Sequence, residues 1–581
     1  MGYIFTAAPR TFKVCNGRTD HFKTPARPEN YTSELVVNSP RNCKAAFNAL
    51  IGIVKEDYLL NVGDSDCFCN WEDTLKLRVS AEFPIDVKMN IVGTMVDDDY
   101  FRKGELILGQ DYALIRRDDC AQVFCEAELP KDIKPGCYEG KVRLWSHRLF
   151  EDEVLEGELT VRINVWEYVL PDRSDSKFYL DLWQHSSIIA NRCDVKIWSD
   201  EHFRILEDVV KSLAHLGQRA VTVVATEVPW YGQNCHKERG IESSLFEYSI
   251  IGVCKENDGS FTYDYSVMQR YIDLCARYGI DREISIYGFI NVTAPHRPCP
   301  ECFDNLRIRY LDKADGSYKY MREMSEIDAY ISSLEQYFVK TGQIGKVRVA
   351  ADEPVDIDAF RVAISHIKSI APAFKYKAAV NHVEFIEEFG EDILDVAPAL
   401  PTACDLHDVL IKMKKERPDK RFLHYICCWP MFPNTYIRSR LCESVFLGVV
   451  TSFLDLDGLL RWAYTCWPDD PRKDIRYHPS DWAAGDTCFV YPSASGKPML
   501  TLRYKALLWG IEMFDMLEEL KEKKGREAAE EAYSYVLREK EHGKMFAARF
   551  SMVPADREKL MTVDDKDYEA LMEFVLSKLC E

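Results

Sequence analysis

The sequence lacks any apolar run near the roughly 18 residues needed to cross a bilayer. Its opening, Met1-Gly2-Tyr3-Ile4-Phe5-Thr6, carries neither the basic start nor the long apolar stretch of a secretory leader. No membrane insertion is expected. A cytoplasmic protein is the reading, although a secreted chain trimmed of its leader would look the same. Positive charge is also short: 74 Lys and Arg stand against 94 Asp and Glu, a formal net charge of -20. Wrapping a phosphate backbone needs a basic face, so this balance argues against nucleic acid as a partner. No Gly-x-Gly-x-x-Gly follows an early strand, and phosphate-binding loops and the Gly-x-Ser-x-Gly elbow are absent, which removes the usual signatures of dinucleotide enzymes, P-loop proteins and elbow-type hydrolases. Internal repeats and low-complexity tracts are missing as well. The 20 Cys are spread over 581 residues rather than packed into a short chain, so reduced thiols are expected instead of a disulfide framework.

What is present is a well-cored globular composition, 47% hydrophobic and 29% charged, on a chain too long for one ordinary domain. In the first part, Leu159, Val161, Ile163 and Val165 alternate with Thr160, Arg162, Asn164 and Trp166, the period of a half-buried strand. Pro135-Gly136 opens another alternating run, and segments 76–82, 86–96 and 105–115 read alike. Short strands separated by turn signals predict an N-terminal antiparallel β-sandwich over residues 1–170. After the polar, proline-led Pro171–Ser176, short apolar runs alternate with stretches of helical length. Eight strand candidates follow: Lys177–Trp183, Ala220–Thr226, Glu283–Ile290, Lys346–Ala351, Lys375–Val380, a weak one near 395–400, Arg421–Cys427 and Gly458–Tyr464. Eight βα units over residues 171–515 predict a (β/α)8 TIM-type barrel. Residues 516–581 are charged and helix-prone, which predicts a peripheral helical tail.

A barrel of this kind carries its site where the strands end. There the sequence places Trp183 and His185, Trp230, Tyr287, Asn381 and His382, Tyr425, and Trp462, Tyr464 and Trp467. Aromatic faces stack on pyranose rings and polar edges bond hydroxyls, so these ten are candidate substrate-binding residues of a sugar site. The fourth candidate strand runs into Asp352-Glu353-Pro354. Adjacent carboxylates repel, which favours a proton on at least one, as a general acid requires. The same triplet is equally an ordinary helix start with Asp as N-cap. No metal or other cofactor is expected: His296-Arg297-Pro298-Cys299-Pro300-Glu301-Cys302 holds one CxxC without a second pair, and plain loop thiols are its default reading. His424 and Cys427 are close in sequence, but strand alternation sets neighbours three apart on opposite faces, so packing is the better reading of both.

The set Asp181-Leu182-Trp183-Gln184-His185, Asp352-Glu353-Pro354, Trp462-Ala463-Tyr464, Gly485–Pro492 and Leu502–Glu512 resembles glycoside hydrolase family 123 and its bacterial relatives, over roughly residues 135–520. The resemblance implies an exo-acting hydrolase that removes terminal β-linked N-acetylgalactosamine, or a related N-acetylhexosamine, from an oligosaccharide or glycoconjugate. It implies retention of configuration by substrate assistance. Asp352 would orient the 2-acetamido group, and Glu353 would protonate the glycosidic oxygen and then deprotonate water. By analogy Tyr425 would bond the acetamido carbonyl and Trp462 would floor the subsite. Val349-Ala350-Ala351 departs from the expected polar lead-in. Two other readings stay open: a non-catalytic carbohydrate-binding barrel, and a glycosidase for sugars without an acetamido group, with Glu227 as candidate nucleophile.

Overall fold

The computed structural model describes residues 3–16, 32–63, 74–229, 246–290, 306–380, 382–476, 482–551 and 553–581. The N-terminal part forms two six-stranded sheets. One runs Phe5–Pro9, Cys43–Ile51, Ala121–Leu129, Val87–Val96, Arg102–Ile107, Cys15–Asn16, and the other runs Glu34–Arg41, Val154–Val169, Gly136–His147, Leu75–Glu82, Tyr58–Val62, Tyr112–Ile115. Residues from both sheets share one buried core that includes Phe47, Val123, Leu144, Val161 and Ile163. The alternation read in 159–165 is realised there: Leu159, Val161, Ile163 and Val165 are buried and the residues between them are not. Pairing is mainly antiparallel, but Glu34–Arg41 lies parallel to Val154–Val169, and Tyr58–Val62 parallel to Leu75–Glu82. The expected strand 105–115 is two strands in different sheets. Gly109, with φ +62°, stands between them in a conformation that favours glycine.

Past Pro171 the chain forms an eight-stranded parallel barrel. Its strands in chain order are Tyr179–Leu182, Ala220–Val224, Glu283–Ile290, Val347–Asp352, Lys375–Val380, Ile393–Pro398, Arg421–Tyr425 and Gly458–Arg461. Neighbours in sequence are neighbours in space, and the eighth strand pairs with the first. The seam between the first and second strands is stitched by two glutamines in place of a full ladder. Gln218 Oε1 accepts from Leu182 N at 2.8 Å, and its amide donates to Ala220 O at 2.7 Å. Gln184 accepts from Thr222 N at 2.7 Å. These amides satisfy backbone groups that the incomplete ladder leaves open.

Helices cover the barrel for reasons visible in their sequences. Asp200–Leu216 starts at Ser199, whose side chain accepts from His202 N, and stops at Gly217 with φ 90°. It buries Phe203, Leu206, Val210 and Leu213 at helical spacing. Helix Leu502–Lys524 runs unbroken through position 515, so a boundary there falls inside one buried element rather than between two. It crosses helix Leu441–Phe453 backbone to backbone: a Cβ at Gly448 would lie 1.8 Å from Gly510 O. The last helix, Asp565–Cys580, packs on helix Leu502–Lys524 and on strands Glu34–Arg41 and Val154–Val169. The C-terminal residues are helical as expected, but they tie the two parts together instead of lying apart from them. Arg503, fully buried, donates to Glu105 of the N-terminal sheet at 2.6 Å, and Lys505 donates to Glu126 at 2.6 Å. No described helix is long and apolar enough to cross a membrane.

Candidate active site

The barrel interior is layered by the period of its strands. Toward the strand starts, six side chains from six strands form one closed ion layer: Asp181, Glu283, Arg348, Lys377, Asp395 and Arg421. Lys377 binds Asp181 and, at 2.8 Å, Glu283. Arg421 reaches Glu283 at 3.0 Å and Asp395 at 2.6 Å, and Arg348 reaches Asp395 at 2.5 Å. Three acids meet three bases, so the layer closes without net charge. Residues further along the same strands, inward by the same alternation, form the mouth: Trp183, Tyr287, Asp352 and Tyr425.

Asp352 ends the fourth strand. Tyr287, on the third, donates its hydroxyl to Asp352 Oδ2 at 2.8 Å. Glu353 continues the ladder by one bond, its N–H donating to Ala379 O at 3.0 Å, but with φ +41°. A left-handed residue that is not glycine is strained and needs a reason. In a regular strand Glu353 would point away from Asp352; the kink returns its carboxyl to the mouth, where Tyr425 of the seventh strand donates to Oε1. Adjacent carboxyls are thereby held from opposite sides of the barrel by two tyrosines. The helix-start alternative is removed, because the next helix, Ile357–Ile370, takes Asp356 as its N-cap, accepting from Asp358 N and Ala359 N.

Burial, reinforced by the neighbouring Glu353, pushes Asp352 up to about 7, against the Tyr287 bond that favours its charged form. Burial also raises Glu353; its hydroxyl and thiol donors Tyr425 and Cys427 oppose this, Asp486 adds to it, and His382 lowers it. The pair therefore keeps a proton toward neutral pH. Such a pair can hand a proton to a leaving group while presenting a negative charge beside it.

Trp183 packs its ring 5.1 Å from Tyr287 in the mouth. His185 is fully buried, edge-on to Trp462 at 5.8 Å, and burial drops its imidazole to about 3, so it is a neutral wall residue. His382 is half-exposed beside the dyad. Trp462 is only partly buried and donates to Asp486 at 3.4 Å; Asp486 is in turn held by Arg461 at 2.6 Å. Two expected site residues lie elsewhere. Tyr464 is buried with its hydroxyl 2.7 Å from Ser212 on helix Asp200–Leu216, so it faces the outer wall. Trp467 is buried with its indole donating to Val490 O at 2.7 Å, which makes it packing. Both follow Arg461, where the eighth strand ends, so strand alternation no longer sets their direction. Trp230, Asn381, His296, Cys299 and Cys302 lie outside the described residues.

The sequence reading missed four contributors. Asp486 and Arg461 orient Trp462, and Trp482 packs 5.0 Å from the Trp462 ring; Asp486 and Trp482 sit in or beside the 485–492 motif, which was the available signal. Cys427, read as packing, places its thiol 3.9 Å from Glu353 Oε1. His424 does face the other way, toward Thr451 at 2.7 Å, as alternation required. Among the described residues no group of three or more His, Cys, Asp and Glu has the geometry to hold a metal ion.

Residues 183–520, more than half of the chain, match the catalytic domain of glycoside hydrolase 123. The chain belongs to glycoside hydrolase family 123. Its substrate is accordingly a carbohydrate. The fold agrees: a family 123 glycoside hydrolase from Clostridium perfringens, studied for glycolipid glycan hydrolysis, superposes with a TM-score of 0.74 at 16% identity, covering 98% of this chain and 99% of that one. A putative glycoside hydrolase from Bacteroides vulgatus aligns with a TM-score of 0.26 at 10% identity over 84% of this chain and 78% of its own. A GH5 xyloglucanase from Bacteroides ovatus aligns with a TM-score of 0.25 at 6% identity, over 82% and 98%. No curated protein sequence matches this one significantly.

Proposed function

We infer that this family 123 enzyme is an exo-acting, retaining β-N-acetylgalactosaminidase, or acts on a closely related N-acetylhexosaminide, by substrate assistance with Asp352 and Glu353. The observation that carries the reading is two adjacent carboxyls, each fixed by its own tyrosine and each raised by burial, at the mouth of a TIM-type barrel beside a sandwich-like domain. Adjacency suits a mechanism in which the nucleophile belongs to the substrate, since a protein nucleophile would stand across the bond from the acid. Asp352, ionised, accepts the acetamido N–H and turns the acetamido oxygen toward the anomeric carbon. As that oxygen bonds to the carbon, the glycosidic bond breaks and Glu353 protonates the departing oxygen. Glu353, now a carboxylate, takes a proton from water as the water opens the cyclic intermediate, and the second inversion restores the original configuration. Tyr425 is committed to Glu353, so its role here is to aim the acid rather than to bind the acetamido carbonyl. Glu227 makes a poor alternative nucleophile: Arg309 pairs with it at 2.5 Å and Tyr320 donates to it.

The deciding experiment is hydrolysis of an aryl β-N-acetylgalactosaminide against the matching aryl β-galactoside, with product stereochemistry followed by NMR. Retention, with no turnover of the galactoside, is expected, as is inhibition by a thiazoline analogue of the cyclised intermediate. Equal turnover of both glycosides would overturn the mechanism.

The two tyrosines should act on different limbs of the pH profile. Catalysis needs Asp352 ionised and Glu353 protonated, so the acid limb of kcat/KM follows Asp352 and the alkaline limb follows Glu353. Each hydroxyl favours the charged form of its partner. Tyr287→Phe should move the acid limb to higher pH and narrow the bell. Tyr425→Phe should move the alkaline limb to higher pH and widen it. Profiles in which both variants shift the same limb would contradict these assignments.

A further inference from the structure

A second cleft, of about 630 Å³, opens on the same end of the barrel, between helix Ser186–Arg192 and a four-stranded sheet. That sheet runs Phe261–Asp264, Gly252–Lys255, Arg309–Asp312, Tyr318–Tyr320. Its aliphatic floor is already used in packing: Ile250 and Ile251 are 4% exposed and Val253 is 7% exposed. Its most exposed rings are Tyr248, 41% exposed, and Tyr318, 65% exposed. Large exposed rings on one concave surface call for an explanation.

The platform is rigid. The guanidinium of Arg309 lies 4.5 Å from the Tyr318 ring centre and 5.1 Å from that of Tyr248. It is pinned by its ion pair with Glu227 at 2.5 Å, and Glu227 is itself buried at the end of the second barrel strand. Held rings lose little freedom on binding, which favours affinity. The pair also cancels its own charge. Asn191 and Asp264 stand at the edge as hydrogen-bonding groups, and Ser266, through its side chain and then its backbone N–H, keeps the Asp264 carboxyl below the usual range. An acidic ligand would meet that carboxylate, whereas a neutral one with a flat apolar face and hydroxyl edges would not. Ser187 lines the cleft two residues beyond His185, whose ring touches Trp462 in the catalytic mouth. The cleft and the mouth thus share the segment that follows the first barrel strand.

The geometry points to a neutral-saccharide subsite in this cleft, holding part of the glycan distant from the sugar that is cleaved, with Tyr318 and Tyr248 as its stacking platform. This rests on the glycan-hydrolase reading only for the identity of the ligand. The test compares a neutral tetrasaccharide bearing a terminal β-N-acetylgalactosamine with the aryl monosaccharide. One aromatic stacking contact corresponds to about tenfold in affinity. Tyr318→Ala should raise KM for the tetrasaccharide by about tenfold while leaving kcat and the aryl substrate unchanged, and Tyr318→Phe should restore the wild-type value. An unchanged KM, or the same loss on both substrates, overturns the proposal. Calorimetric titration with a neutral β-linked tetrasaccharide lacking an acetamido group separates this result from failure of the catalytic reading. Binding that is lost in Tyr318→Ala and kept in Asp352→Asn supports the subsite even if the dyad cleaves another sugar. Binding lost in Asp352→Asn and kept in Tyr318→Ala, or no binding, overturns it.

Discussion

Glu353→Gln should lower kcat/KM on a β-N-acetylgalactosaminide with an alkyl or sugar leaving group by about 10²- to 10⁴-fold, the usual contribution of a positioned general acid. The amide keeps the shape of the carboxyl and its partner Tyr425, so the fold and the mouth should be preserved, as a thermal melt would verify. What is lost is the transferable proton. An aryl leaving group departs without much help, so the deficit should shrink on a nitrophenyl glycoside. Asp352→Asn should behave differently. It keeps the Tyr287 bond but cannot carry the negative charge that stabilises the cyclised intermediate, so its loss should be large with either leaving group. The two variants are thus separated by their dependence on the leaving group. A Glu353→Gln enzyme that keeps wild-type activity on the alkyl glycoside would remove Glu353 from the acid role.

Lys377→Met should destabilise the protein by about 3–5 kcal/mol, the cost of leaving a buried charge without its partner. Lys377 and the carboxyls of Asp181 and Glu283 are at most 1% exposed. Removing the ammonium takes the counter-ion from Asp181 and leaves Glu283 with Arg421 alone, where water cannot screen the two carboxylates from each other. The contrast is Arg361, which pairs with Glu388 at 2.5 Å but with 45% and 36% of the two side chains exposed. Arg361→Met should therefore cost far less than Lys377→Met. Denaturant unfolding of the two variants beside the wild type measures the difference. Asp181→Leu added to Lys377→Met should recover part of the loss, because it removes the stranded charge. Similar, small losses in Lys377→Met and Arg361→Met would show that the ion layer is not a determinant of stability.

Much of the architecture is legible in the sequence because it rests on local periodicity. The eight barrel strands were readable because short apolar runs separated by amphipathic helices can bury both faces only in a parallel sheet. The dyad was readable because two carboxyls at a strand end stand out chemically. The boundary at 515 falls inside helix Leu502–Lys524, which changes from apolar to charged along its length while remaining one element. Composition marks where burial ends, which is not where a helix ends. Tyr464 and Trp467 looked like the other rim aromatics, since aromatic character does not say which way a residue faces once the strand has ended.

By itself the sequence determined the order of the elements, the barrel strands and the pair Asp352-Glu353, because each follows from residues close together in the chain. Tertiary structure alone decided how that pair is held. The left-handed turn at Glu353, Tyr287 and Tyr425 closing on the carboxyls from two strands, and the thiol of Cys427 beside them are contacts between residues as much as 74 positions apart. The ion layer is the clearest case. Asp181, Glu283, Arg348, Lys377, Asp395 and Arg421 are isolated polar residues within their strands. Only closure of the barrel sets three acids against three bases, since the energy of each charge depends on the others being there.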